Sequence, residues 1–306
     1  MFKEAVKNWL IAIRAPFFTA TVVPVLFGSL LAWYAKGGFS WRIFFLALIG
    51  IIFLHTGTNL ANDYFDHRSG NDEANPNPTP FSGGSRVIQD GKLSPKKVLA
   101  ASLIFFGLGS AIGLYLNDIL SGNVILILGG IGVTSGLFYS GAPLKWGYRS
   151  VGEFVVGLNF GPLVIIGSYY TQAQILEASV VWASIPIALL IAAVLYINEF
   201  QDYQADKSVN KRTLVVVLGK PRAIKLYYVL ILLTYLVILA EVIIGLLPYY
   251  TLLTFLTAPI AISALKIAKE NYMKIVELIP ANAKTIQLHL IIGLMLSLSL
   301  ILGKLF

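Results

Sequence analysis

Two short stretches of this sequence gather oxygen ligands at helical spacing. The first reads Asn59-Leu60-Ala61-Asn62-Asp63-Tyr64-Phe65-Asp66. Residues three or four apart share one helix face, so Asn59, Asn62, Asp63 and Asp66 form a single polar stripe. Asp72 and Glu73 follow beyond Gly70, a residue suited to stop the helix. The second stretch runs from Asn198 to Asp206 and places Asn198, Asp202 and Asp206 on one face, with Glu199 beside them. Carboxylates are hard ligands that suit Mg²⁺, an ion that keeps several waters and bridges one or two carboxylates to substrate phosphates. One stripe serves one ion. Two facing stripes hold two ions and clamp a diphosphate as it leaves. On this reading Asp63, Asp66, Asp202 and Asp206 are catalytic metal ligands. Asn59, Asn198 and Asp72 extend the metal shell, and Asn62 orients substrate beside Asn59 and Asn198.

Basic residues stand next to both stripes. The loop after the first contains Phe81-Ser-Gly-Gly-Ser-Arg86-Val-Ile-Gln-Asp90-Gly-Lys92-Leu-Ser94-Pro95, and the loop after the second contains Lys211-Arg212-Thr213. Arg offers phosphate a planar two-pronged fork and Lys a point charge. Arg86, Lys92, Lys211 and Arg212 are therefore candidate diphosphate contacts. A third loop, around Tyr139-Ser-Gly-Ala-Pro143-Leu-Lys145-Trp146, supplies two further candidates. The Tyr139 ring suits a developing cation, and Lys145 suits a diphosphate or an anionic acceptor. Each basic residue taken singly also fits a headgroup anchor.

The elements that position these residues follow from composition. The chain has 306 residues, of which 57% are hydrophobic and 12% charged, against about 25% charged in ordinary soluble domains. Mean hydropathy is +0.77. So apolar a chain has a bilayer as its solvent. A spanning helix needs ~20 apolar residues, and nine stretches qualify, near 16–35, 42–62, 96–116, 121–140, 151–170, 178–198, 223–246, 248–267 and 285–303. Ser94-Pro95 reads as the cap and first residue of the third. The first sixteen residues read as an interfacial amphipathic helix rather than a signal peptide.

With nine spans, the N-terminus and the loops after spans two, four, six and eight share one side. That side carries 20 of the 23 Lys and Arg residues, leaving Lys36, Arg42 and Lys304 on the other. The imbalance predicts a multi-pass plasma-membrane protein with its N-terminus and charged loops cytoplasmic. Both acidic stripes then close even-numbered helices on the cytoplasmic face, and Asp63 and Asp202 lie 139 positions apart. This pattern reads as a parallel repeat of two four-helix-related halves sharing one site.

Other chemistries are excluded. There is no cysteine, so disulfides, thiolate metal sites and Cys nucleophiles are absent, and His55, His67 and His289 share no ligand spacing. The net charge of +8 is explained by loops facing a membrane surface and calls for no nucleic acid. A secondary transporter, which also has repeats and intramembrane carboxylates, stays as the remote alternative, although such a site lies at the midplane on interrupted helices. The stripes here sit at helix ends.

Together these residues resemble the UbiA superfamily of intramembrane prenyltransferases over essentially the whole chain. The family's NDxxDxxxD pattern stands here as Asn62-Asp63-Tyr64-Phe65-Asp66, with Gly70 where the third Asp would fall and Asp72 two residues later. The second motif stands as Asn198-x₃-Asp202-x₃-Asp206, and Arg86 occupies the place of the family's basic loop segment. Blocks such as Gly147-Tyr-Arg-Ser-Val-Gly-Glu153, Gly167-Ser-Tyr-Tyr170 and Lys211-Arg-Thr-Leu-Val-Val are similar to the dihydroxynaphthoate polyprenyltransferases. The resemblance implies one all-α domain over 1–306, with nine transmembrane helices around a central cavity and a cap of cytosolic loops. It implies Mg²⁺-dependent transfer of a polyprenyl group from its diphosphate to an aromatic acceptor, dihydroxynaphthoate, in menaquinone synthesis. Geranylgeranylglyceryl phosphate or hydroxybenzoate is the alternative acceptor. Membrane lipids surround the protein, and no obligatory protein partner is expected.

Overall fold

The structure is a computed structural model that describes residues 2–306, the side chain of Phe2 excepted. Met1, part of the expected interfacial helix, lies outside the described residues. The chain folds into thirteen α-helices joined by short 3₁₀ or π turns, with no β-strand among the described residues. A short amphipathic helix, α1 (Phe2–Ala12), precedes α2 (Thr19–Lys36) and α3 (Trp41–Ser69), which carries the first acidic motif at its end. After the long loop come α4 (Pro95–Ile119) and α5 (Val124–Leu137), then α6 (Gly152–Leu158) and α7 (Val164–Ala173). The second motif ends α9 (Ile185–Ser208), which continues from the one-turn helix α8 (Ala178–Ala183). The chain closes with α10 (Leu214–Leu218), α11 (Lys220–Ile243), α12 (Ala258–Asn271) and α13 (Ile279–Leu305).

Eight segments among the described residues are long and apolar enough to cross a membrane. The protein is thus an all-helical, multi-pass membrane protein. The difference from the nine expected spans is α5, whose 14 residues measure only ~21 Å along the axis against a hydrocarbon core of ~30 Å. The fifth span also departs from a plain helix. Pro162 lies inside it, within a π turn at Asn159–Leu163 that joins α6 to α7. Proline has no N–H to give and crowds the carbonyl four residues back, and a widened turn relieves both.

The helix ends explain how the motifs are held. Ser40 caps α3 by accepting a hydrogen bond from the Ile43 N–H, and Gly70 ends the helix at φ +77° with its N–H on the His67 carbonyl. Ser94 precedes Pro95 at the first turn of α4, as the sequence suggests. The helices bearing the motifs pack most extensively on their successors, α3 against α4 and α9 against α11. The main core lies between α2, α9, α11 and α13, where Phe27, Leu190, Tyr196, Phe200, Tyr227 and Leu296 are fully buried. That core leaves a cavity between α2, α3, α4, α5, α7 and α9.

Candidate active site

The cavity has a volume of about 860 Å³. One end is polar, lined by Asn59, Asn62, Asp66, Asn71, Asp72, Asn198, Glu199, Asp202, Asp206 and Lys211. Away from it the wall is mainly apolar. Ala47, Gly50, Ile51 and Leu54 of α3 face Ile112 and Leu116 of α4, Leu128 of α5, and Ile191, Val194 and Leu195 of α9. Among the described residues, none of α11, α12 or α13 lines it.

The structure brings the two acidic motifs together. Lys211 Nζ stands 3.4 Å from Asp66 Oδ2 and 3.5 Å from Asp206 Oδ1, spanning both motifs with one cation. Asn75, from the loop after the first motif, donates to Asp202 Oδ1 at 2.8 Å. Thr79 of the same loop donates to Gln201 Oε1 at 2.7 Å. Tyr148 donates to Asp66 Oδ1 at 2.9 Å and lies between two cations, with Lys145 Nζ and Lys211 Nζ at 5.4 and 5.3 Å from its ring centre. Burial pushes the Tyr148 hydroxyl above the usual phenol range, and the Asp66 charge adds to the effect.

The four Asp residues of the stripes are not equivalent. Asp63 is 2% exposed and does not line the cavity. One of its oxygens accepts from Arg14 and the other from the Ser85 hydroxyl, and the Ser85 N–H adds a bond at 3.3 Å. Arg14 also donates to Asn62 Oδ1 at 3.1 Å. Asn62 in turn donates to Asp66 Oδ2 at 3.1 Å and to Ser140 Oγ at 2.7 Å. Asn59 donates to the Ile13 carbonyl at 3.0 Å. These residues form a lattice that fixes the end of α3 against the chain entering α2. Asn198 accepts from Asn282 at 2.7 Å and so ties the second stripe to α13.

The remaining carboxylates are under-used. Neither oxygen of Asp206 makes a hydrogen bond, nor does Asp72 Oδ2 or Asn71 Oδ1, and all are buried. Burial raises the Asp72 carboxyl to about 8, with the Asp66 and Asp63 charges adding to the effect. Burial works against the charge on Lys211, but Asp206 and Asp66 outweigh it and hold the ammonium well above its usual range. Unpaired buried oxygens of this kind are costly unless a ligand completes them. Hard oxygen donors left open on a cavity wall fit a divalent cation. No three carboxylate or imidazole side chains among the described residues converge on one point. The donor set therefore suits an ion shared with substrate phosphate rather than one caged by protein alone.

The basic candidates divide. Arg86 lines the cavity, adopts φ +64°, and donates to the Asp72 carbonyl at 2.5 Å. Lys211 lies between the motifs, and Tyr139 lines the cavity wall. Lys92, in contrast, is exposed and pairs with Asp90 at 2.8 Å. Arg212 and Lys145 are also exposed, and none of these three lines the cavity. Sequence reasoning missed Arg14, Asn71, Asn75, Ser85 and Tyr148. The cap loop comes this close because Gly84 sits at φ +71°, where an added Cβ would lie 2.4 Å from Asp72 Oδ2.

Residues 21–278 match the UbiA prenyltransferase family. The chain belongs to that family and is a membrane prenyltransferase. It is 29% identical over 303 residues to the 1,4-dihydroxy-2-naphthoate octaprenyltransferase of Bacillus subtilis (strain 168), covering 98% of this chain and 94% of that one. It is 31% identical over 239 residues to the enzyme of the same name from Escherichia coli (strain K12), covering 76% and 75%. A UbiA homologue from Archaeoglobus fulgidus, solved bound to DMAPP and Mg²⁺, has the same fold with a TM-score of 0.63 at 16% identity, covering 94% of this chain and 98% of that one.

Proposed function

We propose that this enzyme transfers a polyprenyl group from its diphosphate to a dihydroxynaphthoate acceptor, with Mg²⁺ held at the cytoplasmic mouth of the cavity. The observation that carries the reading is the meeting of both motifs at Lys211, beside buried carboxylate oxygens that have no other partner. Asp66, Asp72, Asp202 and Asp206 would hold the metal, Asn62 orients Asp66 through its hydrogen bond, and Asn198, tied to Asn282, adds a further oxygen-bearing side chain to the wall. When bound, Mg²⁺ supplies positive charge that neutralises the diphosphate as the allylic C–O bond breaks. Lys211 and Arg86 add protein charge to the same leaving group. Asp63 serves to fix Arg14 and the cap loop.

The mainly apolar part of the cavity accommodates the prenyl tail and shields the developing allylic cation from water. Tyr139 presents an aromatic face near that carbon. The dihydroxynaphthoate acceptor is supported by the two relatives named for that substrate. The cytoplasmic placement is supported by the Lys and Arg imbalance. Purified protein given radiolabelled geranylgeranyl diphosphate, Mg²⁺ and separate acceptors tests the reading. It predicts product with dihydroxynaphthoate and none after EDTA. Product only with hydroxybenzoate or geranylgeranylglyceryl phosphate would reassign the acceptor, and no product with any would refute prenyl transfer.

A further inference from the structure

Below the acidic mouth, several polar residues on the cavity wall turn their hydrogen bonds back on their own helices. Thr58 donates to the Leu54 carbonyl, Asn159 to that of Val155, and Thr171 to that of Ser168. His55 is different. It lines the cavity, is 8% exposed, and has Nδ1 2.8 Å from Thr21 Oγ1. Thr21 is fully buried, so this bond fixes the ring. Phe18 and Phe160 hold it from two sides, with ring centres at 5.4 and 4.7 Å. Nε2 has no protein partner among the described residues and faces the cavity.

A polar ring nitrogen that lacks a protein partner is open to a ligand, and ligand cavities use a few such groups to orient what they bind. The prenyl tail has nothing to offer it. An aromatic acceptor with ring hydroxyls does, because a hydroxyl both donates and accepts and so suits either imidazole tautomer. Position agrees. His55, Asn59, Asn62 and Asp66 follow one another at steps of four, three and four residues on one face of α3. His55 therefore lies on the cavity side, ~6 Å along the axis beyond Asn59 and away from the acidic mouth. A fused aromatic ring attacking the prenyl carbon near the mouth extends its far edge toward this level, where His55 and Phe160 line the cavity.

We infer that His55 orients the acceptor, its Nε2 hydrogen-bonding a ring hydroxyl of a fused hydroxylated aromatic; this rests on the prenyl-transfer reading above. His55 is a specificity-determining residue and plays no part in holding the diphosphate. The test is steady-state kinetics of wild type, His55→Phe, His55→Gln and Thr21→Val with dihydroxynaphthoate and each of its two monomethyl ethers. His55→Phe should raise the acceptor KM about tenfold, the loss of one hydrogen bond, and leave the KM for prenyl diphosphate unchanged. That tenfold gap should vanish with the ether at the hydroxyl His55 holds, and His55→Gln should recover most of the parent value. Thr21→Val, which frees the ring, should raise the same KM by a smaller factor. If His55→Phe does not fold, the Gln and Thr21 variants carry the test. An unchanged acceptor KM overturns the inference, as does an equal loss with the parent and both ethers. Wild type that transfers to no hydroxylated aromatic would overturn the prenyl-transfer reading with it, whereas active wild type indistinguishable from the variants overturns only the role of His55.

Discussion

Replacing Asp63 with Asn separates the residue that braces the cap loop from the residues proposed to hold metal. Asp63 is buried with both oxygens engaged by Arg14 and Ser85. An amide at this position offers one acceptor oxygen and turns an NH₂ group toward a donor. Arg14, which is only 26% exposed at its side chain, then keeps its charge without a counter-ion. Breaking one partner of a buried ion pair costs roughly 3–5 kcal/mol. Since 1 kcal/mol moves the midpoint of a large domain by ~2–4 °C, the melting temperature should fall by roughly 10 °C. Asp206→Asn is the contrast, because neither Asp206 oxygen has a hydrogen bond to lose, and Lys211, whose ion pair with Asp206 is a long 3.5 Å, keeps Asp66 as counter-ion. Its metal-free melting temperature should move far less. The assay is thermal unfolding in detergent with and without Mg²⁺ and a prenyl diphosphate. Asp63→Asn should lower both curves together and preserve the rise caused by ligand, whereas Asp206→Asn should abolish that rise. The reasoning is refuted if Asp63→Asn leaves the metal-free curve in place and removes only the ligand-induced rise.

Three further outcomes follow from the same geometry. Lys211→Met removes the cation that touches both motifs, and kcat should fall by ~10²-fold or more, measured at saturating Mg²⁺; a fall below threefold would exclude it from the leaving-group site. Gly84→Ala forces a side chain into left-handed backbone, at a cost of about 1–2 kcal/mol, and presses on Asp72; it should weaken Mg²⁺-dependent substrate binding, as titration calorimetry would report. In metal-free protein the Asp72 carboxyl sits at about 8, above its unfolded value. The folded state therefore binds that proton more tightly. Its stabilising contribution is complete at acid pH and is lost as pH rises from about 4 through 8, so the metal-free melting temperature should decline across this window. Asp72→Asn should flatten that decline.

Much of this architecture is legible in the sequence for simple reasons. Apolar runs of spanning length mark the long helices, and the stripes at three- and four-residue steps place the acids on one face of α3 and of α9. The partition of those acids is not legible. Asp63 and Asp66 share a helix face, and only a partner far away in sequence decides that one faces Arg14 and the other the cavity. Arg14 itself sits at φ +53°, in a segment whose pattern indicates an interfacial helix. Charge alone likewise fails to distinguish Lys211 from Lys92, Lys145 or Arg212, since a loop lysine at a membrane surface and one folded inward have the same sequence context. Asn75 and Ser85 become visible only once the cap loop is folded over α9 and α3. The shortness of α5 escapes a hydropathy window because its 14 residues are apolar enough to carry the few polar residues that flank them.

The central claim is that both motifs make one metal-diphosphate site. The most direct measurement is Mn²⁺ binding, followed by electron paramagnetic resonance, to protein mixed with an unreactive prenyl thiodiphosphate. Wild type, Asp66→Ala and Asp202→Ala would be compared. One shared site predicts that each single substitution, in either motif, removes the ligand-dependent Mn²⁺ signal. A signal that persists undiminished when either motif is cut would mean that the two stripes act separately, and would contradict the account.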